Sequence, residues 1–214
     1  MQRPSILFIN RVYPPARGAS GRILYDLVHR FAQEGWDVHV LTTGRISQSE
    51  TSENVHVKYI KGVERPRFDV YYLWIWLKLL VVAFMMPKTH IVVTMTDPPM
   101  TSLIGRLMAR FSGMKHIHWC QDLYPDILPA IGVKLPPFMR KSLTSLSRRT
   151  MQNADKTIVI GRCMARHLSY TGLDPKKITV IPNWPVSELT DPVHHDTEFY
   201  TYIQNLQESA GSKA

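Results

Sequence analysis

Short apolar, β-branched runs alternate along this chain with segments whose apolar residues recur every three or four positions. Ser5 to Asn10 holds the uninterrupted run Ile6-Leu7-Phe8-Ile9, as expected of a strand buried on both faces. Beyond a loop, Ile23, Leu24, Leu27, Val28 and Phe31 fall at helical spacing, and Glu34-Gly35 offers a glycine stop. Strands are predicted again at Asp37 to Thr42, Val55 to Ile60, His90 to Thr94, His116 to Gln121, Lys156 to Ile160 and Lys177 to Ile181. Between them lie a strongly apolar helix within Phe68 to Met86, a helix carrying Leu103, Ile104, Leu107, Met108 and Phe111, and a basic helix from about Pro137 to Asn153. About seven strands with interleaved helices predict an α/β fold built on a single Rossmann-like, doubly wound parallel sheet. From about Pro182 to Ala214 no strand pattern remains, although Phe199, Ile203 and Leu206 sit at helical spacing.

A chain of 214 residues with 44% hydrophobic content suits one domain plus a tail, with enough core to fold without staples. Cys120 and Cys163 form neither a metal-ligand spacing nor a disulfide framework, which fits a reduced, cytoplasmic compartment. No charged and apolar leader precedes Ile6, so no secretory signal is expected. Phe68 to Met86 approaches membrane-spanning length, but Asp69 and Lys78 interrupt it. A helix packed on the sheet, with one face at a membrane surface, is therefore expected rather than a span. The formal charge of +9 suits a polyanionic partner, and equally a solubilising surface. No helix-turn-helix, RRM or zinc pattern supports nucleic acid. His194-His195-Asp196, in the polar tail, reads as fortuitous, so no metal site is expected.

Several segments in order resemble the retaining family 4 glycosyltransferases, especially bacterial enzymes of cell-surface polysaccharide synthesis. They are Ile6-Leu7-Phe8-Ile9 with Tyr13-Pro14-Pro15 and Gly18-Ala19-Ser20-Gly21; Gln33 to Thr42 (QEGWDVHVLT); Thr96-Asp97-Pro98-Pro99; Gln121 to Asp126 (QDLYPD); and Ile158-Val159-Ile160 with Val180-Ile181-Pro182-Asn183-Trp184. The resemblance runs from residue 5 to residue 184. It implies the N-terminal, acceptor-side half of a two-domain GT-B fold (residues 1–184), followed by an interdomain linker or tail (185–214). It also implies a nucleotide-sugar donor as co-substrate, no cofactor or metal, and a saccharide acceptor for which a lipid-linked form is expected. In that family Asn183-Trp184 would lead into a second, donor-binding domain carrying an E-x₇-E-like motif, which nothing after Trp184 matches. The expectation is thus a chain inactive alone that needs a donor-binding domain or subunit as partner. The rival from another class is a non-catalytic subunit that recruits a split transferase to the membrane.

In a doubly wound sheet, ligands bind beyond the C-terminal strand ends, where these motifs fall. In the first loop, Gly18 and Gly21 would let backbone approach a ligand, and Arg17, Ser20 and Arg22 lie beside a helix N-terminus that favours anions. Ser20 as a plain N-cap is the alternative. Asp122, closing the strand HIHWCQ, is the candidate catalytic carboxylate, placed to orient a sugar hydroxyl or accept its proton; the alternative is an N-cap for the following turn. Tyr124 beside it, Asp97 before its prolines, and His118, sharing a strand face with His116, complete the expected substrate contacts, with helix capping as the alternative for Asp97. For membrane contact, Trp74 and Trp76 are expected to face outward, with Arg140 and Lys141 in a basic rim. The expected location is the cytoplasm, peripheral to the inner face of the plasma membrane.

Overall fold

Alternation along the first strand sorts the core into two layers. Strand β1 (Ser5–Ile9) is buried throughout. Its Phe8 meets Phe31 of helix α1 (Ala19–Gln33), ring centroids 5.9 Å apart, on one side of the sheet. Leu7 and Ile9 turn the other way. They join Ile75, Leu79 and Ala83 of α2 (Val70–Met85) and Ile104 and Met108 of α3 (Thr101–Ser112) in one buried cluster. A computed structural model describes residues 3–16, 18–62, 70–130 and 132–184. Arg17, Phe68, Asp69, the helix expected around Phe199 to Leu206 and the His194-His195-Asp196 cluster lie outside the described residues.

The remaining elements are β2 (Asp37–Gly44), β3 (Gln48–Ser52), β4 (Val55–Lys61), β5 (Ile91–Thr94), β6 (Lys115–Cys120), α4 (Pro137–Gln152), β7 (Lys156–Val159), α5 (Arg162–Tyr170) and β8 (Ile178–Val180). Among the described residues, eight strands form one sheet in the order β3-β4-β2-β1-β5-β6-β7-β8. Every pairing is parallel except β3 with β4. Strand β3 is the addition to the expected set. It is a polar ribbon (QSETS) that turns back on β4 through Glu53, whose φ is +50°, and an antiparallel edge strand needs no buried face.

Successive strands step outward from β1 through β2 and β4 in one direction and from β5 through β6, β7 and β8 in the other. The order therefore reverses between β1 and β5, the switch point at which a doubly wound sheet opens a crevice beyond its strand ends. Helix α1 ends as its sequence predicts, with Gly35 at φ +84° just past the C-cap Glu34.

Helix α2 is apolar all round, yet the sheet covers only one side of it. Ile75, Leu79 and Ala83, spaced by one turn, are fully buried. Leu73, Trp74, Leu77, Val81, Phe84 and Met85 stay exposed, Met85 at 77%. At 16 residues the helix is about 24 Å long, and among the described residues no helix is long and apolar enough to cross a membrane.

Candidate active site

The loops after β1, β5 and β6 meet at the C-terminal edge of the sheet, over the switch point. The first is held by its own backbone and by its neighbours. Asn10, fully buried, donates its Nδ2 hydrogen to the Val12 carbonyl (2.7 Å). The Arg11 carbonyl accepts from the hydroxyls of Thr42 (3.0 Å) and Thr43 (2.9 Å), and the Arg11 amide donates to the Asp97 carbonyl (2.6 Å). Tyr59 donates its hydroxyl to the Pro14 carbonyl (2.8 Å).

Across the reversal, Arg11 and Asp97 make a two-pronged ion pair, Nε to Oδ1 and Nη2 to Oδ2, both 2.7 Å. The fork geometry makes such a pair strong and directional. The Arg11 guanidinium also lies 5.7 Å from the centre of the Tyr72 ring, drawing α2 into the same cluster. Burial works against the Arg11 charge, but hydrogen bonding to Asp97 and its negative charge outweigh it and hold the guanidinium proton more tightly than usual.

Asp122 and Tyr124 flank this pair on the β6 side. Burial, followed by the nearby negative charge of Asp97, raises the Asp122 carboxyl above its ordinary range. The Tyr124 phenol is pushed up to about 12 by burial and by the charges of Asp122 and Asp97. Asp122 is exposed, and its carboxylate makes no hydrogen bond among the described residues. A basic, solvent-facing carboxylate beside a fixed ion pair and a phenol can accept a proton or hold a hydroxyl. The crevice between Asp122, Tyr124, His118 and Ser102 encloses only about 10 Å³, far less than the roughly 300–1,000 Å³ of a closed small-molecule site. The cluster is a floor and not a pocket.

Several expected roles change. Gly18 and Gly21 make room for Val12 of their own loop: a Cβ on either would lie 2.8 Å from Val12 Cγ1, and one on Gly21 would also stand 3.0 Å from the Val12 carbonyl oxygen. Ser20 is no N-cap, because Gly18 holds that position and Ser20 falls inside the first turn. Asp97 does not cap α3 either; Met100, in the left-handed region at φ +66°, precedes that helix. The Asp122 carboxylate caps no turn. His118 is 5% exposed and is a core side chain, its Nδ1 3.1 Å from the Thr94 carbonyl and 3.2 Å from the Thr94 hydroxyl. Burial lowers its pKa to about 4, so it is neutral at pH 7. His116, fully buried beneath α3, is lowered to about 3, by burial and then by His118. Trp76 is turned inward, donating its indole N–H to the Met100 carbonyl (3.2 Å), whereas Trp74 is 54% exposed with Lys78 Nζ 5.3 Å from its ring centre.

Arg140 and Lys141 are exposed and line an open groove of about 810 Å³ along α4, together with Arg148 and Arg149. Among the described residues none of these four cationic groups has an ion-pair partner. Past the C-terminal end of β8, on the same edge of the sheet as the floor, Trp184 stacks on Trp119 (centroids 5.9 Å apart, planes at 18°) and donates to Asp26 Oδ2 (2.5 Å), while Asn183 donates to Gln121 (3.0 Å). Arg11 and Tyr72 are the members of the cluster that sequence reasoning missed.

A doubly wound sheet with a polar floor at its switch point is a Rossmann-like fold, and sequence comparison supplies the family. The chain belongs to glycosyltransferase family 4: the description "Glycosyltransferase Family 4" matches residues 20–184. No curated protein is significantly similar to it. Among solved structures, a sucrose-phosphate synthase from Thermosynechococcus elongatus superposes with a TM-score of 0.62 at 15% identity, covering 84% of this chain and 48% of that one. The catalytic domain of starch synthase IV from Arabidopsis thaliana gives 0.58 at 12% identity, covering 89% and 54%. A UDP-N-acetylglucosamine 2-epimerase gives 0.55 at 16% identity, covering 85% and 49%. The chain therefore spans about half the length of these structures. At such identities the likeness establishes the fold alone, and the epimerase shows that this fold also carries other chemistry.

Proposed function

We propose that this chain forms the acceptor-side wall of a retaining glycosyltransferase site, transferring sugar from a nucleotide-sugar to a lipid-linked saccharide in cell-surface polysaccharide synthesis. The observation that carries the reading is the Asp122 carboxylate, exposed and without a hydrogen-bond partner among the described residues on a floor fixed by Arg11 and Asp97. An open floor needs a second wall, so catalysis requires a donor-binding domain or subunit, and the chain alone is inactive. No cofactor or metal is invoked at the floor; Asp122 positions or deprotonates the acceptor hydroxyl.

The acceptor's anionic, lipidic character is supported by the layer formed by α2, α3 and α4. There the exposed stripe of Leu73, Trp74, Leu77, Val81 and Phe84 continues to Phe111 of α3, 6.4 Å from Phe84. Packing of α2 on α3 and of α3 on α4 puts the basic α4 groove in the same layer. An apolar face bordered by cations suits peripheral contact with the anionic inner leaflet of the plasma membrane.

The test is transfer from UDP- and GDP-sugars by the chain combined with a donor-binding domain, in cis or in trans. Asp122→Asn is expected to lower turnover at least tenfold, about 1.4 kcal/mol of barrier. Full turnover in that variant, with recruitment to vesicles intact, would instead favour the rival reading of a non-catalytic recruiting subunit.

A further inference from the structure

We propose that Asp37, His39 and His56 form a binding site for a divalent transition-metal ion of the zinc class, at the end of the sheet opposite the active-site floor. The sequence gives no hint of it, because the residues form no spaced motif. They meet through topology. Asp37 and His39 sit two apart on β2 and so share a face, and His56 is the register partner of His39 on the parallel neighbour β4.

Both oxygens of the Asp37 carboxylate are already engaged: Oδ2 lies 3.2 Å from His39 Nε2 and Oδ1 lies 3.1 Å from His56 Nε2. A tetrahedral ion with bonds of about 2.0–2.1 Å holds its ligand atoms about 3.3 Å apart, so whichever oxygen ligates already stands one polyhedron edge from one imidazole nitrogen. One ligand atom from each of the three residues lies within 4.8 Å of the other two. The imidazoles lie nearly parallel, 4.8 Å between centroids and 20° between planes. They must rotate about χ2, a soft torsion, to converge on one ion.

Three further features fit. Thr51 Oγ1 lies 3.3 Å from His56 Nδ1, on the side of the ring away from Asp37, an outer-shell partner of the kind ligating histidines have. His39 is 7% exposed while Asp37 and His56 are half-buried, so the cluster has a solvent side for entry and for a water ligand. Two imidazole nitrogens and one carboxylate oxygen suit Zn²⁺, Co²⁺, Ni²⁺ or Cu²⁺, and not Mg²⁺ or Ca²⁺, which favour all-oxygen sets. The ion would clip β2 to β4 beside the polar edge strand β3.

The same atoms also make a complete hydrogen-bonded network, in which Asp37 accepts from both imidazoles, and the experiment separates the two. The full chain carrying His194→Ala and His195→Ala, which removes the tail histidines, is stripped with chelator and titrated with Co²⁺. One equivalent is expected to bind with micromolar or tighter affinity, giving the visible absorption of four-coordinate Co²⁺, which Zn²⁺ then abolishes. Zn²⁺ is expected to raise Tm by several degrees. Asp37→Asn, which keeps the shape and one of the two hydrogen bonds, and His56→Ala should each weaken binding at least tenfold, while His29→Ala leaves it unchanged. Absence of stoichiometric Co²⁺ binding by the otherwise native chain overturns the proposal whatever the variants do, as does an undiminished spectrum in folded Asp37→Asn.

Discussion

Replacing Asp97 by Asn isolates the ion pair that bridges the switch point. The substitution preserves size, removes the charge, and sets an amide N–H against one of the two guanidinium N–H groups that now point at carboxylate oxygens. Arg11, with 11% of its side chain exposed, keeps its charge and loses its counter-ion. Hydrogen bonds to charged groups contribute about 1.5–3 kcal/mol, and removing one partner of a fully buried pair costs about 3–5 kcal/mol. Asp97 is 27% exposed, so water recovers part of that loss, and we expect a net cost of about 2–3 kcal/mol. For a chain of this length that lowers Tm by about 4–12 °C. Urea unfolding followed by tryptophan fluorescence would measure it, with Arg11→Met and the double variant completing a cycle whose coupling energy should exceed about 1 kcal/mol. A second readout is local. Without the Asp97 charge, one cause of the raised Asp122 pKa disappears, so carboxyl NMR should find Asp122 titrating lower than in the parent. Stability within about 0.5 kcal/mol of the parent, with Asp122 unmoved, would refute the view that this pair holds the floor together.

Gly105→Ala should destabilise the fold despite the better helix former, because its Cβ would stand 2.2 Å from Nε2 of buried His116. Overpacking of about 1–3 kcal/mol outweighs a propensity gain of at most about 1 kcal/mol, and His116→Ala should relieve it in a thermal-denaturation cycle. His116 and His118 are lowered from 6.5 to about 3 and about 4, so the unfolded chain takes up their protons first as pH falls. Their contribution to stability is complete above about pH 6.5 and is lost toward pH 4, on the order of 2 kcal/mol per histidine by pH 5. Denaturant midpoints across that range should flatten in His118→Gln. Trp74→Ser should reduce binding to anionic vesicles with no loss of Tm, whereas Trp76→Ser should lower Tm through its lost contact with Met100; equal behaviour of the two would contradict their opposite orientations.

The doubly wound sheet was legible because β1 and β5 are continuous apolar runs and the other parallel strands carry apolar, mostly β-branched residues at alternate positions, and Gly35 marked the end of α1 by a requirement local to the sequence. Polar β3 was not, since an edge ribbon with exposed side chains leaves no periodic signal. In the polar cluster at the switch point, the places of Asp122 and Tyr124 were legible because they follow directly on a strand. Those of Arg11 and Tyr72 were not, because their roles depend on β1 lying next to β5, and strand order is a property of the whole sheet. His118 misled for a related reason: period-2 spacing gives the face of a strand, but not which helix covers it. Trp74 and Trp76 show the limit of composition, since an all-apolar helix does not announce which side meets the sheet.

The wedge of Val12 beneath Gly18 and Gly21 changes how a mutational scan of this domain should be interpreted. A side chain at Gly21 would lift the whole first loop away from its seat, tilting Arg11 off Asp97 from a distance. Under the proposed function, impaired variants there would resemble lost substrate contacts, although the injury lies on the underside of the loop. Trimming Val12 alongside a substitution at Gly18, which meets that side chain alone, would expose the difference by restoring the parent's stability.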